Sequence, residues 1–141
     1  MKLLVPIDGS DHSKKALNFA LTISKDQNAE IVLLNVQPAF NTPNVKRFLS
    51  TQQEQEYQEE LSTEAFQKTL FNLNNLGGVH ITKRVRIGDP SNEICKEAQE
   101  IKASVIIMGN RGLGSFKSAL IGSVSYSVIH NATCPVTIVP S

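Results

Sequence analysis

An apolar run, Ala103-Ser104-Val105-Ile106-Ile107-Met108, leads directly into Gly109-Asn110-Arg111-Gly112; nine residues later comes Gly122-Ser123, opening an amphipathic segment that ends near Asn131. The order is strand, glycine-punctuated loop, helix. Glycine has no Cβ, so such a loop lets backbone N–H groups approach an anion closely. The unpaired N–H groups of the following helix add partial positive charge at the same place. A phosphate fits that description, although glycines in a loop serve equally well as turn formers.

The rest of the chain repeats the strand-then-helix order. Lys2 to Ile7 is a short apolar strand too continuous to have a wet face, as in the centre of a parallel sheet. Pro6 cannot donate to a ladder and belongs at that strand's last residues. Ser10 to about Asn28 reads as a helix, with Ala16, Leu17, Ala20, Leu21 and Ser24 at helical spacing. Glu30 to Val36 is a second buried strand, and Pro38 to Lys46 a loop. Phe48 to about Leu76 reads as one long helix with Tyr57, Leu61, Ala65, Leu73 and Leu76 on its inner stripe, stopped by Gly77-Gly78. Its Gln/Glu-rich first half, Ser50 to Glu60, is expected to be solvated or poorly packed. Val79 to Ile87 alternates and reads as a strand near an edge. Asp89-Pro90 opens a helix as N-cap and first helical residue, with Ile94, Ala98 and Ile101 inward. Strand 104–108, helix 123–131 and strand 135–139 complete an α/β alternation, which implies parallel pairing through right-handed crossovers in a single doubly wound domain over 1–141.

The chain has 141 residues, enough for one core. Its net charge of +1 builds in no attraction to nucleic acid or membrane. No apolar run approaches the ~20 residues of a membrane span, and the chain enters Leu3-Leu4-Val5 with no signal-peptide pattern, so a cytoplasmic protein is expected. Cys95 and Cys134 stand alone and read as reduced, small core residues. His12, His80 and His130 show no metal-ligand spacing.

The phosphate-loop motifs of other folds are absent. Gly112-Leu113-Gly114 begins a G-x-G-x-x-G pattern, but its last position is Lys117, and there is no Walker A sequence. Gly109, Gly112, Gly122 and Ser123 do match, at every fixed position, the G-2x-G-9x-G-[ST] signature of ATP-binding universal stress proteins. The chain resembles that family from Pro6-Ile7-Asp8-Gly9-Ser10 to Cys134-Pro135-Val136-Thr137-Ile138-Val139; Ala39 to about Leu76 is the least diagnostic part.

The resemblance implies an open five-stranded parallel sheet of order 3-2-1-4-5, helices on both faces, of the adenine nucleotide α-hydrolase-like kind. Ligands of such sheets bind at the carboxyl ends of strands where the order reverses, here strands 1 and 4. The resemblance places ATP there, with Mg²⁺ accompanying its phosphates. Gly109 and Gly112 would lie against ribose and phosphates, Gly122 and Ser123 would hold the outer phosphates, and Val124 and Ser125 would add backbone and hydroxyl donors. Asp8 would meet the adenine or ribose side, Pro6 and Ile7 would wall the base, and Val36 would read the adenine edge beside Met108. Arg111 departs from the family's usual small residue or His and offers a fork to phosphate oxygens; Lys117 is a weaker candidate. The resemblance also implies a homodimer through Pro135 to Val139. The functional expectation is a regulatory or sensing module whose ATP is hydrolysed slowly or not at all. Two other readings stand beside it. One is an ATP-hydrolysing or nucleotidyl-transfer enzyme of related fold, for which Asp8-Gly9-Ser10-Asp11-His12-Ser13 lacks the paired glycines. The other is a nucleotide-free interaction protein.

Overall fold

In the computed structural model, residues 1–25, 28–40, 43–73, 78–110 and 121–141 are described. The elements run β1 (Lys2–Pro6), α1 (Asp11–Ser24), β2 (Glu30–Gln37), α2 (Pro43–Phe48), α3 (Thr51–Leu70), β3 (His80–Ile87), α4 (Pro90–Ile101), β4 (Val105–Gly109), α5 (Ser123–Asn131) and β5 (Val136–Val139). One sheet has the order β3-β2-β1-β4-β5, and every neighbouring pair is parallel. The expected class, order and layering are present.

The central strands are apolar on both faces because both faces are covered. Successive side chains of a strand point to opposite sides. Leu3 and Val5 of β1 therefore join Ile31 and Leu33 under α1 and α3, where Ala16, Leu17, Ala20, Ala65 and Phe66 complete one core. Leu4, Val32, Leu34, Ile106 and Met108 form a second core on the other face, with Ile94 and Ala98 of α4 and Val128 of α5. Cys95 and Cys134 are partly buried against that core, and burial pushes both thiols up. Pro6 is the last residue of β1, where a missing N–H does least harm. No described helix is long and apolar enough to cross a membrane.

Local chemistry sets the helix ends. Ser10 caps α1 by accepting from the Ser13 N–H at 3.2 Å. That helix stops at Ser24, short of the expected Asn28, which itself sits in the left-handed region at φ 49°. Asp89 caps α4 through the Asn92 N–H at 3.1 Å, with Pro90 at the first helical position as expected.

The middle of the chain differs most from expectation. The supposed loop contains α2, opened by Pro43, and the supposed long helix is interrupted before α3. Ser50 restarts it through a capping box: the Gln53 N–H donates to the Ser50 hydroxyl at 3.2 Å, and the Ser50 N–H donates to Gln53 Oε1 at 2.8 Å. The helix then ends at Leu70, with Phe71 extended, before the glycines expected to stop it; Leu76 and Gly77 lie outside the described residues. The inner stripe is shifted by one position in its N-terminal part, where Gln58 and Ser62 are buried while Tyr57 is 47% exposed; Ala65 is buried as expected, together with Phe66 and Thr69, and Leu73 packs against the first core.

Candidate functional site

β1 and β4 lie side by side in the middle of the sheet, β1 leading into α1 and β4 into the glycine loop. Where β1 leaves the sheet, the Ile7 N–H still donates to the Leu34 carbonyl at 2.8 Å. The chain then turns. Asp8 Oδ1 accepts from the Ser10 N–H at 3.0 Å and from the Ser13 hydroxyl at 2.7 Å, while the Asp8 N–H donates to Ser13 Oγ at 2.9 Å. This is an Asx-type turn feeding a helix N-terminus. Gly9 makes it possible at φ +86°, and a Cβ there would lie 3.3 Å from the Ala65 backbone. Asp8 is half-buried and Ile7 belongs to the first core, so the expected wall of the base is, in its side chain, a packing residue.

Gly109 has a reason to be glycine that the motif does not reveal. A Cβ on it would lie 2.7 Å from His12 Cβ and 2.9 Å from the His12 carbonyl oxygen. Only a residue without a side chain lets β4 end against the first turn of α1. The carbonyl of Gly109 accepts the Ser125 hydroxyl at 2.8 Å, and the Asn110 carbonyl accepts the Gly122 N–H at 2.6 Å. The two ends of the glycine loop are thus joined, and the first turn of α5 is held beside the end of β4. In that turn helix geometry leaves N–H groups without intrahelical partners.

The other expected residues fall as follows. Met108 is buried beside Gly109, Val36 is the half-buried penultimate residue of β2, and Val124 is partly buried at the start of α5. Arg111, Gly112 and Lys117 lie outside the described residues. The N-cap of α5 is Gly122, which offers no side-chain cap, so Ser123 does not cap the helix; it is the first helical residue and is exposed. Ser125, expected to present a hydroxyl donor, directs its one hydroxyl hydrogen to Gly109 and is buried.

His12 Nδ1 and Asn110 Oδ1 are buried and have no hydrogen-bond partner among the described residues. Buried polar groups are nearly always paired, and leaving one unpaired costs about 1–3 kcal/mol. Both atoms belong to residues at the Gly109 junction, beside the β1/β4 mouth. Neither residue was singled out strongly by the sequence, because their proximity arises only when β4 meets α1. A separate hollow of about 400 Å³ is lined by Gly9, Ser10, Asp11, Lys14, Gln67, Lys68 and Phe71 of the α1/α3 side; no residue of β4 or α5 lines it. Among the described residues no group of three His, Cys, Asp or Glu side chains is placed to hold a metal.

The topology and its central crevice define an adenine nucleotide α-hydrolase-like protein. The family model described as "Universal stress protein family" matches residues 1–140, and the chain belongs to that family. It is 34% identical to universal stress protein YxiE of Bacillus subtilis, over 98% of this chain and 97% of that one. The solved structure of the protein MJ0577 superimposes with a TM-score of 0.80 at 29% identity, covering 99% of this chain and 95% of that one. A universal stress protein solved in complex with cAMP gives a TM-score of 0.61 at 25% identity, covering 99% and 96%.

Proposed function

We propose that this chain holds ATP at the β1/β4 mouth and acts as a nucleotide-regulated module of the stress response. The observation that carries the reading is the closed neck of the glycine loop. The Gly122 N–H on the Asn110 carbonyl and the Ser125 hydroxyl on the Gly109 carbonyl set the N-terminal turn of α5 against the end of β4. A helix N-terminus bounded by glycine backbone offers N–H donors and a favourable dipole to phosphates. The cAMP complex of a family member supports an adenine nucleotide as the class of ligand. In this reading Asp8, Pro6, Ile7, Val36 and Met108 face the nucleoside. Gly109, Arg111, Gly112, Gly122, Ser123, Val124 and Ser125 follow the phosphates, with Ser125 acting through its hold on Gly109. Mg²⁺ would take its ligands from phosphate oxygens and water. The reading is of a binding module, with hydrolysis slow or absent.

Calorimetry with ATP on the wild type and Gly122→Val tests it. Gly122 has φ −71° and ψ 163°, ordinary extended backbone that valine adopts without strain, so the variant is expected to fold. Its side chain would block the backbone approach, and ATP binding should be lost; equal affinities would sink the assignment. Ser123→Ala should weaken ATP more than AMP. Because Gly122 is the N-cap, it should leave stability within about 0.5 kcal/mol of wild type.

A further inference from the structure

Asn35 is 2% exposed and lies near the carboxyl end of β2. Its Nδ2 donates to the Ile7 carbonyl at 2.9 Å, and its Oδ1 accepts from Gln37 Nε2 at 2.7 Å and from the Ser62 hydroxyl at 2.8 Å. The amide orientation follows from its partners: a carbonyl can only accept, so the NH₂ must face Ile7. Ile7 is the first residue beyond β1 and immediately precedes the Asp8 turn. A side chain of β2 therefore replaces the ladder where β1 leaves the sheet, and that side chain is gripped in turn by α3.

The grip is unlike the rest of α3. At Ala65 and Phe66 the helix packs into the first core. Nearer its N-terminus the buried positions are Gln58 and Ser62, which reach the Pro38 carbonyl at 3.0 Å and Asn35. Each such bond contributes only about 0.5–1.5 kcal/mol net. From Tyr57 to Ser62 the helix is thus anchored to β2 and the chain beyond it by hydrogen bonds and a Phe40–Tyr57 ring contact rather than by the first core.

We propose that Asn35 is a positioning residue for the β1/β4 mouth, and that through Ser62 it couples occupancy of that mouth to docking of the N-terminal half of α3. With α3 docked, three partners fix the Asn35 amide and hold the Ile7–Asp8 segment in place. With it lifted, the amide oxygen loses one of its two donors and the segment loosens. A ligand that binds the ordered Asp8 turn more tightly shifts α3 toward docking, and docking raises affinity by the same factor. The coupling rests on the nucleotide reading above.

Ser62→Ala removes the link while leaving Gln37 on Asn35 Oδ1, so the fold is kept. ATP is the probe, read by calorimetry and by backbone hydrogen exchange over residues 54–62. In the wild type, ATP should slow exchange there about fivefold or more. In Ser62→Ala, ATP should bind about fivefold more weakly, AMP should weaken by the same factor, and exchange over 54–62 should be fast with or without ligand. Ser62→Thr, which restores a hydroxyl donor, should recover both the affinity and the slowing. If ATP binds the wild type but leaves α3 exchange unchanged, or if Ser62→Ala keeps both the affinity and the slowing, the coupling is wrong and the nucleotide site stands. If wild type gives no heat with ATP, the nucleotide reading falls and takes the coupling with it.

Discussion

The two edges of the sheet are built in opposite ways. At one edge β3 runs from His80 to Ile87 and carries Lys83, Arg84 and Arg86. Two of those cations are clipped to α4. Arg86 Nη1 lies 2.8 Å from Glu97 Oε1 and 3.0 Å from Glu100 Oε2, and Arg84 Nε lies 3.2 Å from Glu97 Oε2. Hydrogen bonds with Glu100 and Glu97 hold the Arg86 guanidinium above its ordinary pKa. At the other edge, β5 is Val136-Thr137-Ile138-Val139, uncharged and half-buried throughout. Charge along an edge strand discourages a second chain from pairing with it. One edge is therefore closed against association and committed to its own helix; the other is short, uncharged and open.

The largest expected effect lies at the closed edge. Glu97 is fully buried, and both arginines form ion pairs with it. Removing one partner of a buried ion pair costs about 3–5 kcal/mol. Glu97→Ala should fall at the lower end, because Arg86 keeps Glu100 and the side chain of Arg84 is 50% exposed. Urea unfolding measures this. A loss under about 1 kcal/mol would mean that the clip does not define this edge.

At the open edge the expected effect is on assembly rather than folding. A two-fold contact of β5 with its own copy is antiparallel and would cover the edge of both chains. Thr137 is half-buried and is the polar residue of β5, on the face it shares with Val139, so Thr137→Lys puts a charge into the edge strand without removing an apolar side chain. Light scattering should show a wild-type dimer and a Thr137→Lys monomer. A wild type that is monomeric at micromolar concentration would end the comparison, since neither edge would then recruit a partner.

How much of this was legible depends on whether a residue's partner is local. The strands were readable because a two-sided sheet needs runs such as Leu3-Leu4-Val5 and Ile106-Ile107-Met108. The cap at Asp89-Pro90 was readable because its partner is three residues away. Strand order was not contained in any segment and came with the family resemblance. The phase of α3 was misread for a physical reason: Tyr57 and Leu61 looked inward by hydropathy, yet Gln58 and Ser62 are buried because Pro38 and Asn35 offer them hydrogen bonds from elsewhere in the chain. In the same way Gly109 looked like a phosphate glycine, while its contact with His12 exists only after β4 and α1 are packed. The charged edge was equally hidden. Alternation marked β3 as half-exposed, but Val85 and Ile87 are the exposed residues and Arg86 is the sheltered one.

The smallest expected effect is the pH response of the closed edge. Glu100 is exposed, and its hydrogen bond with Arg86, followed by their charge attraction, holds its carboxyl below the usual carboxylate range. A carboxylate whose folded-state pKa is depressed contributes stability above its unfolded pKa and loses it as pH falls through the folded value. Glu100→Gln should therefore unfold at slightly lower urea than wild type near pH 7, and the two midpoints should converge as pH drops below ~4. Salt should shrink the difference at neutral pH, because the pair is solvated. Thr137→Lys changes a strand with no Asp or Glu, so its offset from wild type should not converge on acidification. Convergence in both variants would mean that the acid response belongs to the protein's net charge rather than to the β3–α4 clip.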